Sequence, residues 1–128
     1  MTVRRFDGKD ESPVENGDTI VVYDDSMAAQ VLHSCLRSLY YNCVIKVARY
    51  VQVKTDLTLT DIEQRLQTYE VIIAQHTNVP GQEQEWYLEL WGASEKVLNA
   101  CIGGLQQNSD CTVAVLTDAP EGFPQTEA

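Results

Sequence analysis

The chain has no apolar run approaching the roughly 20 residues that span a bilayer as a helix. Its N-terminus also lacks the basic-then-apolar layout of a signal peptide. The expectation is a soluble, cytoplasmic protein with no membrane partner. Basic residues are scarce: 9 Lys and Arg stand against 19 Asp and Glu, for a net charge of -10. Such a field repels nucleic-acid phosphates and anionic headgroups, so no nucleic-acid partner is expected. Histidine is scarcer still, limited to His33 and His76, which leaves few bases to activate a nucleophile. The four cysteines, Cys35, Cys43, Cys101 and Cys111, show no C-x-x-C spacing and sit inside apolar patterns. They read as buried thiols rather than as metal ligands or disulfides.

What is present suffices for one compact domain, since 128 residues with 44% hydrophobic content can bury a core of their own. Residues 1–17 mix Arg4 and Arg5 with acidic residues, Pro13 and Gly17, and are predicted to form a flexible N-terminal arm. Residues 18–119 are the predicted single α/β domain. Residues 120–128, with Pro120, Gly122 and Pro124, form a C-terminal tail.

Within the domain, Thr19-Ile20-Val21-Val22-Tyr23-Asp24-Asp25-Ser26 reads as an apolar strand delivering two carboxylates to its end. Met27, Val31, Leu32, Cys35, Leu36 and Leu39 then fall at helical spacing, with Ser26 as the cap and Asn42 as a stop. Residues 43–54 alternate as a second strand. Thr60 caps a short helix over Asp61–Leu66, and Tyr69–Ala74 is a third strand. Asn78-Val79-Pro80-Gly81 is turn chemistry. Residues 82–105 suit a helix broken near Gly92, whereas Trp86–Trp91 alone suits a strand; Asp110–Thr117 is the last strand.

Strand alternating with helix points to a three-layer α/β sandwich with a mainly parallel sheet. The alternative is a ferredoxin-like α+β sandwich. It follows if 86–91 is a strand, because Val31–Cys35 followed by Cys43–Val47 is echoed by Val97–Cys101 followed by Cys111–Val115.

In the three-layer reading, Asp24 and Asp25, then Gln75-His76-Thr77, then Thr117-Asp118 lie at one sheet edge, where open α/β sheets build their sites. Asp24, Asp25 and Asp118 would offer oxygen ligands to a divalent cation such as Mg2+. No other cofactor is called for. The plainer reading makes Asp25 a helix cap and leaves Asp24 solvated. Gln75, His76 and Thr117 are candidate binding residues at this edge. Trp86, Tyr87 and Trp91 are either core or an anchor for a protein partner, since large aromatics bury much area at low entropy cost.

The stretch Val21-Val22-Tyr23-Asp24-Asp25-Ser26, the helix from Met27, the strand Tyr69–Ala74, the Pro80-Gly81 turn and Leu116-Thr117 together resemble the bacterial response-regulator receiver domain. The resemblance implies a phosphoacceptor aspartate directly after the third strand, but Gln75 stands there, and an amide forms no acyl phosphate. The family's Lys-Pro step has no counterpart. The resemblance therefore implies a degenerate pseudo-receiver, a non-catalytic regulatory domain working through a protein partner, with a homo-oligomer as one form. Tyr23-Asp24-Asp25-Ser26 is also similar to the start of an SGNH-type hydrolase, which would make Ser26 the nucleophile and His76 a base. Here Asp24 replaces the family's glycine, and neither histidine sits in its C-terminal Asp-x-x-His arrangement. Thr77 with Trp86-Tyr87 resembles a flavodoxin's flavin contacts, without the Ser/Thr/Gly-rich phosphate cradle. The ferredoxin-like alternative implies an assembly subunit.

Overall fold

One long strand organises the molecule. The computed structural model describes residues 3–5, 17, 19–36, 44–120 and 123, with residues 32–36 described by backbone alone. Its elements are β1 (Val3–Arg5), β2 (Thr19–Val22), α1 (Asp25–Leu36), β3 (Val44–Thr55), α2 (Leu59–Gln67), β4 (Ile72–Val79), β5 (Gln82–Gly92), α3 (Glu95–Gln106) and β6 (Cys111–Leu116). β3 is rich in Val and Ile, residues that fit a pleated surface, and it is paired along both sides. On one side β2 runs parallel to its first residues, Ile20 facing Ile45 and Val22 facing Val47. Further along that same side β6 runs antiparallel, from Leu116 opposite Tyr50 to Cys111 opposite Thr55. β5 lies antiparallel on the other side, and β4 pairs antiparallel with β5 beyond it. β1 pairs parallel with β2.

The sheet is therefore mixed and curled, with the order β1-β2-β3-β5-β4 and β6 also on β3. This corrects the mainly parallel sheet: of the five pairings among the described strands, β1–β2 and β2–β3 are parallel and the rest antiparallel. The stretch expected to be a broken helix is β5. Trp86 and Leu90 are four apart, a spacing that a helix and one face of a strand share, so periodicity alone did not separate them. The three-layer expectation is corrected too. Val31 of α1, Ile62 and Leu66 of α2, and Leu98, Cys101, Ile102 and Leu105 of α3 join one core with Ile20, Val22, Val47, Val51, Val53, Leu88 and Leu90. All three helices thus cover one face of the sheet. Each fully buried Leu in that core contributes about 1.5–3 kcal/mol.

Local chemistry sets the element ends. α1 is capped by Asp24, whose Oδ1 accepts the Met27 N–H at 2.7 Å, in place of the expected Ser26. α2 is capped by Thr58 rather than Thr60, in a reciprocal box with Asp61. Ser94 caps α3. Pro80-Gly81 joins β4 to β5, Gly81 taking φ +77, where glycine is at ease. Gly92 ends β5 where a Cβ would stand 3.1 Å from Leu98 Cγ, so glycine there lets α3 close onto the sheet.

Both predicted termini take part in the fold. Val3–Arg5 of the expected arm is β1, with Arg5 buried, and Phe123 of the expected tail is buried against Tyr50, ring centroids 6.2 Å apart. The rest of the arm over residues 6–16 and the tail over residues 124–128 lie outside the described residues, as do the Asn42 stop and Cys43. Cys101 and Cys111 are free, buried thiols. No helix among the described residues is long and apolar enough to cross a membrane.

Candidate functional site

The expected carboxylate edge is built differently. Asp24 caps α1. Asp25 Oδ1 accepts the Glu95 N–H at 3.0 Å, while Glu95 Oε1 accepts the Asp25 N–H at 2.7 Å. The N-termini of α1 and α3 thus lie side by side, each satisfied by the other's carboxylate, an arrangement the helix dipoles favour. Arg49 adds an ion pair to Glu95 at 3.5 Å and a hydrogen bond to the Tyr23 carbonyl. Asp118 and Thr117 follow β6 and are exposed. Among the described residues no three His, Cys, Asp or Glu side chains are grouped to hold a metal ion.

Gln75 and His76 do not end a strand beside this edge, because both lie inside β4. β3 and β5 separate β4 from β2, three strand spacings or about 14 Å. Exposed Ser26 lies in the first turn of α1 after β2 and exposed His76 inside β4, with β3 and β5 between the two strands. Ser26 and His76 are not brought together as nucleophile and base.

The sheet face away from the helices carries a polar centre that sequence reasoning missed. Glu89 on β5 is fully buried there. Arg5 reaches it across β2 and β3 and grips it with both terminal nitrogens, Nη1 to Oε2 and Nη2 to Oε1, the latter at 2.7 Å. Gln75 Nε2 donates to the same Oε1 at 2.8 Å. A β-bulge makes this possible. Ile73 faces Leu90 but Gln75, not Ala74, faces Glu89, and the extra residue moves the Gln75 side chain onto this face. Arg5 also approaches the Tyr23 hydroxyl at 3.5 Å, and Tyr23 stacks on Tyr50 with centroids 6.2 Å apart. Burial opposes the Arg5 charge, but the hydrogen bonds to Glu89 and Tyr23 outweigh it and hold its pKa above the usual arginine value. Burial, reinforced by the Tyr23 hydrogen bond and the Glu89 charge, pushes the Tyr50 phenol well above the usual tyrosine range. Arg5 Nε and Trp91 Nε1 are buried without a hydrogen-bond partner. Tyr87 and Trp91 flank Glu89 on this face, with Tyr87 opposite Thr77 and Gln52. Trp86 points to the helix side and meets His76 edge-on, centroids 5.8 Å apart.

The remaining feature is the free side of β4. Among the described residues nothing pairs with its outer edge. Its eight residues, Ile-Ile-Ala-Gln-His-Thr-Asn-Val, contain neither Asp, Glu, Lys, Arg nor Pro. Ile72 at its start is 51% exposed. Beside it α2 and β4 frame a shallow cleft lined by Glu63, Gln67, Val71, Ile72 and Ile73. The sequence signal for this edge was the run of apolar residues ending in Gln75, but its position at the end of the sheet follows only from the pairing. Comparison with protein-family models gives no match for this chain, and comparison with curated proteins gives none either.

Proposed function

We propose that this chain is a non-catalytic protein-binding domain that takes up an extended segment of its partner as an added strand beside β4. The observation that carries the reading is the long, uncharged edge of β4, unpaired among the described residues, next to a cleft lined by Glu63, Gln67, Val71, Ile72 and Ile73. An exposed edge of this kind offers a row of backbone donors and acceptors, and strand addition uses those for affinity and the adjoining pockets for selection. The order β3-α2-β4-β5-α3-β6 with the antiparallel sheet β6-β3-β5-β4 is that of a ferredoxin-like unit, extended at its N-terminus by β1, β2 and α1. In such a unit β4 is an outer strand. The separation of Ser26 from His76 supports the non-catalytic part.

The test is selection of random eight-residue peptides, displayed on phage, against the full chain. We expect binders whose addition shifts the backbone amides of residues 72–79, and no turnover of a generic ester. Failure to select any binder, or ester cleavage abolished by Ser26→Ala, overturns the reading.

A further inference from the structure

Resting on that reading, we infer that the segment β4 receives is basic at both ends and comes from another protein rather than from a second copy of this chain. The charges around the edge argue it. Residues 56–95 hold Asp56, Asp61, Glu63, Glu70, Glu83, Glu85, Glu89 and Glu95 against the single cation Arg65. Arg65 is already bound to Asp110 through two hydrogen bonds of 2.9 and 2.7 Å. Several of these acids are engaged within the fold: Glu89 by Arg5, Glu95 by Arg49, Glu85 by Gln52 and Asp61 in its cap.

Four exposed carboxylates remain: Asp56, ahead of α2, and three that bracket β4. Glu63 lines the cleft at the start of the strand, and Glu70 precedes that start by two residues. Glu83 lies at the far end, where its carbonyl accepts from the Asn78 amide at 3.2 Å. Eight extended residues span about 24 Å between first and last Cα. An added strand of that length therefore meets a negative charge at each end, an uncharged ladder between them, and the Ile72 and Ile73 surface near one end. The matching segment carries Lys or Arg near both ends and alternating apolar residues within.

A second copy fits poorly. Two β4 strands related by a two-fold axis run antiparallel, which sets Glu63 and Glu70 of one beside Glu83 of the other at both ends, and facing like charges destabilise strand pairs. The chain's net charge of -10 opposes self-association further.

The peptides selected above decide the matter. We expect Lys or Arg enriched near both ends of the binders. Binding should weaken about two- to fivefold for each of Glu63→Gln and Glu83→Gln, the range of single exposed ion pairs. It should also weaken as NaCl is raised from about 50 to about 500 mM, where screening removes most of the attraction. Both variants should melt like the parent, since their side chains are exposed. Binders that map to β4 without basic enrichment or salt dependence overturn this inference and leave the strand-addition reading standing. A concentration-dependent dimer with β4 amides protected overturns it in favour of a second copy. Absence of any binder removes the reading on which it rests.

Discussion

The two sides of the sheet treat their exposed strands in opposite ways. On one side β1 is three residues long, and its Arg5 turns inward to a buried carboxylate. Beside it on the same flank, β6 has its Val113 carbonyl occupied by the Gln106 amide of α3 at 3.2 Å. Short strands, inward charges and helix cover are the ways natural sheets guard an edge. β4 on the other side is eight residues long and carries no charged residue; bulges interrupt its register at Ala74 and between Asn78 and Val79, but among the described residues nothing pairs with its outer edge. The strongest polar contacts close one flank, and among the described residues the other has no pairing partner. That asymmetry is the ground for proposing strand addition at β4.

The closed flank should respond most strongly to substitution. Arg5→Ala leaves Glu89 buried without its charge partner and should cost about 3–5 kcal/mol, read from urea unfolding. Replacing both, Arg5→Met with Glu89→Leu, should recover most of that loss, because the penalty comes from the orphaned charge. Equal losses in the single and double variants would mean that the ion pair is not what holds β1. From the open side, Ile72→Lys places a charge on the unguarded strand. It should abolish binding of the selected peptides while changing unfolding free energy by less than about 0.5 kcal/mol, as expected for an exposed position.

A weaker response is expected at the entry to β4. Glu70 adopts φ 58, a left-handed conformation that suits glycine. Glu70→Gly should therefore stabilise the fold by about 1 kcal/mol while weakening basic peptides, so that stability and binding move in opposite directions. The smallest is a pH effect on the buried groups. Burial raises the Cys101 thiol from its ordinary value of 9.0 to about 11, and Tyr50 is raised in the same sense. Their unfolded forms lose protons first as pH rises, so the stability these groups contribute is full below about pH 9 and declines through the alkaline range. Unfolding midpoints measured from pH 8 to pH 11 should fall, and Cys101→Ala with Tyr50→Phe should flatten the decline.

Much of the scaffold is legible in the residues. The strands over 19–22, 44–55 and 111–116 and the α1 and α2 helices follow from their apolar spacing, and Pro80-Gly81 from its turn chemistry. What was not legible has physical causes. The spacing of Trp86 and Leu90 serves a helix and a strand face equally, and on β5 versus helix the whole sheet order depends. A bulge at Ala74 changes which side Gln75 faces, and no pattern in the sequence marks it. Arg5 and Glu89 are 84 residues apart, so nothing local announces their pairing. The Asp24-Asp25 pair was visible, but its use as reciprocal helix capping depends on Ser94-Glu95 arriving beside it.

The most direct measurement of the asymmetry is amide hydrogen exchange of the free, full chain, followed residue by residue by NMR. The outward-facing amides of residues 72–79 should exchange far faster than those of β3 and β5, because among the described residues no strand pairs with the outer side of β4. Uniform protection along β4, matching that of β5, would mean that this edge is already covered and would contradict the account.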